Sequence, residues 1–251
     1  MAQISIIIPS LNEASVIART LGRVRSLQPL PHEVIVVDGN SRDETVAIAQ
    51  KELDSFPAPV QTHLLQAPQP GRAVQMNQGA AAATGEILCF LHADTLVPED
   101  LGAVITQTLH DPACAGGGFI SLMTGTTGVR WWFSLLNFLK TYYTPLIFRP
   151  HLFFRGLRLL FGDQVMFCRR QDFWDCGGFD ATMPLLEDAE LCLRLVRRGR
   201  LRLVNRVVES SDRRVAKWGF FKANVIYAYV GYLWGMGVSA ARLKRFYEDI
   251  R

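Results

Sequence analysis

The sequence predicts an α/β fold: a mostly parallel, Rossmann-like sheet flanked by helices. Three observations carry the prediction. First, the runs Ile4-Ser5-Ile6-Ile7-Ile8, Val34-Ile35-Val36-Val37 and Ile87-Leu88-Cys89-Phe90-Leu91 are short and apolar, and each stops abruptly at polar or acidic residues. Strands buried on both faces of a parallel sheet read this way. Second, segments with helical spacing separate these runs from residue 4 to about residue 110, the alternation that a parallel sheet requires. Third, the chain has 251 residues, 49% of them hydrophobic and 20% charged, enough for a sizeable packed core.

The elements follow in order. Residues 13–27 place Val16, Ile17, Leu21, Val24 and Leu27 on one helical face. Ser41-Arg42-Asp43-Glu44 reads as a capping box, with Ser41 at N-cap and Glu44 at N3, opening a helix through about residue 51. Residues 60–65 form a third strand. Gly71-Arg72 opens an alanine-rich helix through 83, which Thr84-Gly85 ends. Residues 86–91 are the next strand, and Pro98 sits in the first turn of another helix.

The character then changes. Residues 112–162 contain no Asp or Glu, but hold Arg130, Lys140, Arg149, Arg155, Arg158 and eleven aromatic residues. Strand character resumes over 163–168. Residues 186–198 read as an amphipathic helix with two acids at its start, and 223–241 are uncharged. No internal repeat or low-complexity linker is visible. The organisation predicted is one domain over 1–215, including a basic aromatic insertion at 125–161, followed by a helical tail at 216–251.

The formal charge of +4 is too mild to suggest nucleic acid as a partner. The five cysteines have no CxxC spacing, which argues against a zinc site or a disulfide framework and for buried thiols in a reducing compartment. Met1-Ala2-Gln3 runs straight into a strand, so no secretory signal is expected.

Ligands of open α/β sheets bind beyond the carboxyl ends of the strands. Those ends here carry Asn12, Glu13, Asp38, Asn40, His92 and Asp94. Asp38 suits a base N–H or a ribose hydroxyl; the competing role, capping the next helix, fits Ser41 better. Asp94 is placed to bind a divalent cation that also holds a nucleotide diphosphate, although a lone surface Asp would look the same. Arg72, at a helix N-terminus, fits a phosphate as well as it fits solvent. Glu187-Asp188 opens a helix, where acids meet the helix dipole by default. A carboxylate there can also serve as general base. Arg213-Arg214 is equally a second phosphate clamp or a solvated basic loop.

Taken together, Pro9-Ser10-Leu11-Asn12-Glu13, Val37-Asp38-Gly39-Asn40-Ser41-Arg42-Asp43-Glu44-Thr45, Ala93-Asp94, Gly177-Gly178-Phe179-Asp180 and Glu187-Asp188 resemble the ordered motifs of family 2 glycosyltransferases, over roughly residues 3 to 205. Gly71-Arg72-Ala73, Gln75-Met76-Asn77-Gln78-Gly79, Leu91-His92-Ala93-Asp94-Thr95 and Gly162-Asp163-Gln164 resemble one bacterial subgroup of that family more closely. The resemblance implies the GT-A fold and inverting transfer of a hexose from a nucleotide-diphosphate sugar, a UDP-sugar first among the choices, with Mn2+ or Mg2+ as cofactor. By the same analogy Pro9, Asn12, Glu13 and Asp38 hold the nucleoside, Asp94 ligates the metal, and Asp188 is the base with Glu187 beside it. Asp163 and Gln164 face the donor sugar or the acceptor. One departure is plain: the usual Asp-x-Asp metal motif reads His92-Ala93-Asp94. Histidine suits Mn2+ better than Mg2+, so His92 is either a second metal ligand or a hydrogen-bonding partner of the donor.

The acceptor is open: a hydroxyl or carboxyl group, with a lipid or carotenoid-like molecule suggested by the subgroup. The acid-free aromatic stretch fits peripheral contact with a membrane, an acceptor pocket or a homo-oligomer face. Residues 223–241 approach the length of a membrane span, but Asn224, three tyrosines and three glycines make their hydrophobicity marginal. The location expected is cytoplasmic, either free or at the membrane's cytoplasmic face. Two rival functions are a nucleotidyltransferase, for which the N-terminus lacks a glycine-rich phosphate loop, and a non-catalytic nucleotide-binding protein.

Overall fold

The computed structural model describes residues 2–125 and 128–246. Two residues of the expected insertion, 126–127, and the last five of the expected tail, 247–251, lie outside the described residues. The chain runs β1 (Ile4–Ser10), α1 (Ile17–Arg25), β2 (Glu33–Asp38), α2 (Thr45–Leu53), β3 (Gln61–Gln66), α3 (Arg72–Ala82), β4 (Ile87–Phe90) and α4 (Leu101–Leu109). Then come β5 (Cys114–Gly125), β6 (Gly128–Val129), α5 (Trp131–Phe148), α6 (Pro150–Phe154), a 3-10 turn (Gly162–Gln164), β7 (Phe167–Arg169) and α7 (Arg170–Asp175). The chain closes with α8 (Glu187–Leu195), β8 (Arg200–Ser211), α9 (Arg213–Trp218), α10 (Phe220–Gly235) and α11 (Ala240–Leu243).

These strands make one sheet, in the order β3-β2-β1-β4-β7-β5-β6, with β8 paired to β5. β1 pairs in parallel with both β2 and β4, and β2 with β3. β7 runs antiparallel to β4 and β5, and β5 runs parallel to β8. Alternation along β1 explains the layering. Ile6 and Ile8 pack with Leu21 and Val24 of α1 and Ile105 of α4 on one face. Ile7 packs on the other with Met76 and Ala80 of α3 and Phe173 of α7. Every residue of β1, β2 and β4 is buried, as their uninterrupted apolar runs require.

The α/β class and the mostly parallel sheet are as expected, and the differences are local. The capping box does not form. α2 begins at Thr45, and the Ser41 hydroxyl donates to Asp38 Oδ1 at 2.5 Å instead. Asp43 supplies the acceptor, taking the Thr45 N–H at 3.1 Å. α1 starts at Ile17 rather than at 13: the residues before it form a turn in which the Glu13 carbonyl accepts the Val16 and Ile17 N–H groups at 3.0 and 2.9 Å. The apolar tail segment is not one helix. It breaks at Gly237, whose φ of 92° suits glycine, into α10 and α11. Among the described residues no helix is long and apolar enough to cross a membrane. Four of the five cysteines are buried, Cys176 is half-buried, and all are free thiols.

Candidate functional site

The strand order puts β1 between β2 and β4, and the chain leaves β1 toward one side and enters β4 on the other. A crevice opens at such a reversal, beyond the carboxyl ends of the strands. There, Glu13 follows β1, His92 and Asp94 follow β4, Arg72 and Gln75 come from the first turns of α3, and Arg213 comes from the start of α9. Together with Pro9 they line one cleft of about 110 Å3. A larger depression of about 550 Å3, between α4 and the start of β8, is lined by Arg158, Arg200, Arg202 and Arg206 and holds none of the strand-end acids.

Charge organises the cleft. Arg213 bridges two acids, with Nη1 2.8 Å from Glu13 Oε2 and Nη2 2.8 Å from Asp94 Oδ2. Burial works against its charge, but the Glu13 and Asp94 carboxylates outweigh burial and hold it cationic. Arg72 Nε sits 2.8 Å from Glu187 Oε1, which ties the cleft to the first turn of α8. The next residue, Asp188, is 5% exposed. Burial, reinforced by the neighbouring Glu187 charge, pushes its carboxyl up to about 8, against the opposing pull of Arg72 and the Gly162 N–H. The surroundings therefore favour the protonated form of this acid.

His92 is the converse case. Burial, with Arg72 nearby, pushes its imidazole down to about 4 despite the acids around it. The ring is neutral at neutral pH, and its Nε2 is buried with no hydrogen-bond partner. Gly162 lies against both groups: a Cβ there would overlap the His92 ring and come within 3.1 Å of Asp188 Oδ2. Glycine is thus the residue that lets the 3-10 turn close over the histidine and the acid. The backbone is held in unfavourable conformations on either side. Val165 has φ 50° and Leu186, immediately before Glu187, has φ 64°. Such residues cost about 1–3 kcal/mol each and persist where the surroundings over-determine them.

The other expected residues divide into two groups. Asn12, Asp38 and Asn40 form a hydrogen-bonded rim on the β2 side. Asp38 accepts from the Ser41 N–H at 2.9 Å, Asn12 Oδ1 from the Arg42 N–H at 2.8 Å, and Asn40 Oδ1 from Gln66 at 2.8 Å. Asn12 and Asn40 have φ of 55° and 69°, which asparagine tolerates better than most residues. Asp163 lies outside the cleft lining, with Oδ2 accepting from Ser121 at 3.1 Å and Asn137 at 2.5 Å. Gln164 departs from expectation in being fully buried. Its amide accepts from the Phe161 N–H at 3.0 Å and donates to Thr141 at 3.1 Å, which anchors the turn to α5 and leaves no surface for a ligand.

Several cleft residues were not singled out as site residues from sequence. Gln75 lines the cleft while donating to the carbonyls of Ser10 and Val37 at 2.7 and 2.8 Å, which pins α3 across the ends of β1 and β2. Ser211 also lines it, beside Arg214, which the sequence had offered with Arg213 as a phosphate clamp. Ser121 and Asn137 carry no motif. Only the fold brings them to Asp163.

A divalent cation fits this site in a specific way. Among the described residues, no three His, Cys, Asp or Glu side chains are grouped to hold an ion by themselves. The Asp94 carboxylate and the orphaned, neutral His92 nitrogen are available. An octahedral oxygen-rich ion would need its remaining ligands from a diphosphate and water.

Known proteins share this fold. Residues 5–175 match the model of Glycosyl transferase family 2. The chain is 28% identical over 215 residues to a pre-mycofactocin glycosyltransferase of Mycobacterium tuberculosis, covering 84% of this chain but only 43% of that protein. It is 30% identical to an uncharacterized glycosyltransferase of the same organism, over 76% of this chain and 68% of the relative. Among solved structures, a mannosyltransferase from Pyrobaculum calidifontis in complex with GDP-Man and Mn2+ superposes with TM-score 0.70 at 21% identity, covering all of this chain and 65% of that one. Glucosyl-3-phosphoglycerate synthase from Mycobacterium tuberculosis, in complex with Mn2+, UDP and glucosyl-3-phosphoglycerate, gives TM-score 0.65 at 20% identity, over 94% of this chain and 81% of that one. The shared architecture is the GT-A fold.

Proposed function

The chain belongs to glycosyl transferase family 2, and from that premise we propose that it is an inverting, divalent-cation-dependent glycosyltransferase that moves a sugar from a nucleotide-diphosphate sugar to a hydroxyl or carboxyl group. The observation that carries the reading is the convergence of Glu13, Arg72, His92, Asp94 and Arg213 on the β1/β4 crevice, with the buried Asp188 joined to it through Arg72–Glu187 and Gly162.

The nucleoside lies against Pro9 and the Asn12–Asp38–Asn40 rim, where each Asp38 oxygen keeps a lone pair for a base N–H or a ribose hydroxyl. Asp94, with His92 beside it, would hold Mn2+ or Mg2+, which would supply positive charge opposite the leaving diphosphate. Arg213 pairs with the same Asp94 carboxylate and with Glu13, and a diphosphate entering the cleft would compete with both acids for its guanidinium. Arg213, Arg214 and Arg72 then face the diphosphate oxygens. On the acceptor side Asp188, once ionised, takes the acceptor's proton as its oxygen bonds to the anomeric carbon. The bond from that carbon to the diphosphate breaks with inversion.

The acceptor is a hydrophobic molecule carrying the reacting group. Support comes from a second cavity of about 390 Å3 between α5, α8 and α10–α11, with walls including Pro145, Phe148, Leu159, Leu193 and Trp234. It shares α8 with Asp188.

The test is donor hydrolysis. Purified protein is incubated with UDP-, GDP- and dTDP-sugars in Mn2+, Mg2+ or EDTA, and the released nucleoside diphosphate is measured. The expected result is metal-dependent release from one donor, abolished in Asp94→Ala and strongly reduced in Asp188→Asn. Neither release nor thermal stabilisation by any nucleotide would overturn the reading.

A further inference from the structure

Outside the cleft, the most unusual surface is a pair of helices that leave large apolar side chains in solvent. Along α5, Trp132, Leu135, Leu139, Tyr143 and Ile147 are all exposed, at spacings of three and four residues that put them on one face. Along α10, Phe221, Val225, Tyr229, Tyr232 and Met236 are likewise exposed at helical spacing. Phe221 is 82% exposed.

The two stripes are neighbours. Near one end Trp132 Nε1 donates to Asn224 Oδ1 at 2.8 Å, and Phe133 stacks edge-on against Phe220. Near the other, Phe148 packs edge-on against Tyr232, with ring centroids 6.0 Å apart. The helices therefore run side by side in the same direction, each with its core-facing side inward. Phe133, Val215, Trp218 and Ala223 form a small buried cluster beneath them. A continuous apolar face of this extent on a monomer marks an interaction site.

Charge identifies the partner. Residues 112–162 and 213–246 contain no Asp or Glu. Arg155, Lys217, Lys222, Arg242, Lys244 and Arg245 are exposed within those segments. A self-complementary dimer would set these cations against their own copies with no acid in either segment to answer them. Anionic headgroups answer them all, while aromatic and aliphatic side chains enter the interface below.

We propose that the α5/α10 face docks on the surface of an anionic lipid bilayer and holds the protein there peripherally. The inference does not depend on the transferase reading. It places the approach to the α5–α8–α10 cavity at the lipid interface.

The test is co-sedimentation of the full chain with vesicles of phosphatidylcholine alone and of phosphatidylcholine with roughly one-third phosphatidylserine. Binding to the mixed vesicles, weak on the neutral ones and falling as salt rises, is expected. Lys217→Ser with Lys222→Ser is expected to weaken binding about tenfold or more, and Phe221→Ser to do so comparably. All three side chains are exposed, so the thermal melts should not move. Absence of binding to the anionic vesicles would overturn the proposal, as would binding indifferent to these variants. So would a lipid-free dimer that Phe221→Ser converts to monomer, which would make the face a self-interface.

Discussion

The sheet region that carries β1–β4 and the helical region that carries α5 and α9–α11 are built on opposite principles. In the first, every residue of three strands is buried and the loops at their ends are cross-tied, Asn12 to Ser41 and Arg42, Glu13 to Thr45, and Gln75 to Ser10 and Val37. In the second, two long helices each expose a row of apolar side chains, and of the two α10 glycines Gly235 is packed against Phe148 while Gly231 has open space where a side chain would stand. A donor pocket that recognises a fixed nucleotide gains from rigidity. A surface that meets a fluid partner gains from adaptable apolar contact. On the readings proposed above, the fold separates recognition from attachment by secondary-structure type.

The largest effect is expected where the two regions meet. Asp188→Asn should lower turnover by ~10^2–10^4-fold and leave nucleoside diphosphate affinity close to wild type, as judged by calorimetry, because the donor rim does not include it. Its pH profile carries the sign. The carboxyl is raised to about 8, and the base must be ionised. In the wild type kcat/KM should therefore fall about tenfold per unit as pH drops below that value, whereas residual activity of Asp188→Asn should lack this limb.

The next contrast is between glycines. At Gly79 in α3 a Cβ would overlap Ile7 and press on Val37 at 3.2 Å, so Gly79→Ala should cost about 1–3 kcal/mol in urea unfolding. Gly231→Ala in α10 meets nothing within 4 Å and should stabilise by about 0.5–1 kcal/mol through helix propensity. Equal effects would erase the distinction between a close-packed and an open half.

The smallest effect concerns acid. Glu33 starts β2 fully buried. Burial favours its neutral form, but hydrogen bonds from Ser5, Thr84 and Gly85 outweigh burial and hold the carboxyl below its ordinary value. A depressed carboxylate contributes stability above its unfolded value, and loses it as pH falls through the folded one. The penalty of Glu33→Gln, read from urea midpoints, should therefore be largest at neutral pH and shrink in acid.

The sheet region was the legible one. β1, β2 and β4 are mostly apolar runs with punctuated ends, so the strand ends beside Glu13, Asp38 and Asp94 could be placed from the pattern, whereas β3 is a half-exposed, mixed segment. What escaped was set by competition or by distance. Ser41 looked like a helix cap because its spacing to Glu44 fits one, but its oxygen accepts the Asn12 N–H while its hydroxyl donates to Asp38. Gln164 stands beside Asp163 in the chain, yet it faces into the core while its neighbour turns toward Ser121 and Asn137. Spacing of one residue cannot separate those fates in a 3-10 turn. Ser121 and Asn137 meet Asp163 across gaps of 42 and 26 residues, and no local pattern records that. The α5/α10 pair was visible as composition but not as two aligned stripes.

Arg213 reaches back 200 residues to Glu13, and that span has a consequence for how the protein is made. Chains are made from the N-terminus, so the residues of β1–β4 leave the ribosome long before those of β8 and α9 exist. Until they emerge, Glu13 and Asp94 have no guanidinium between them. A nascent chain arrested before Arg213 would carry both acids of the cleft without the cation that pairs them. Translation itself thus orders the site: first the cradle, last the clamp.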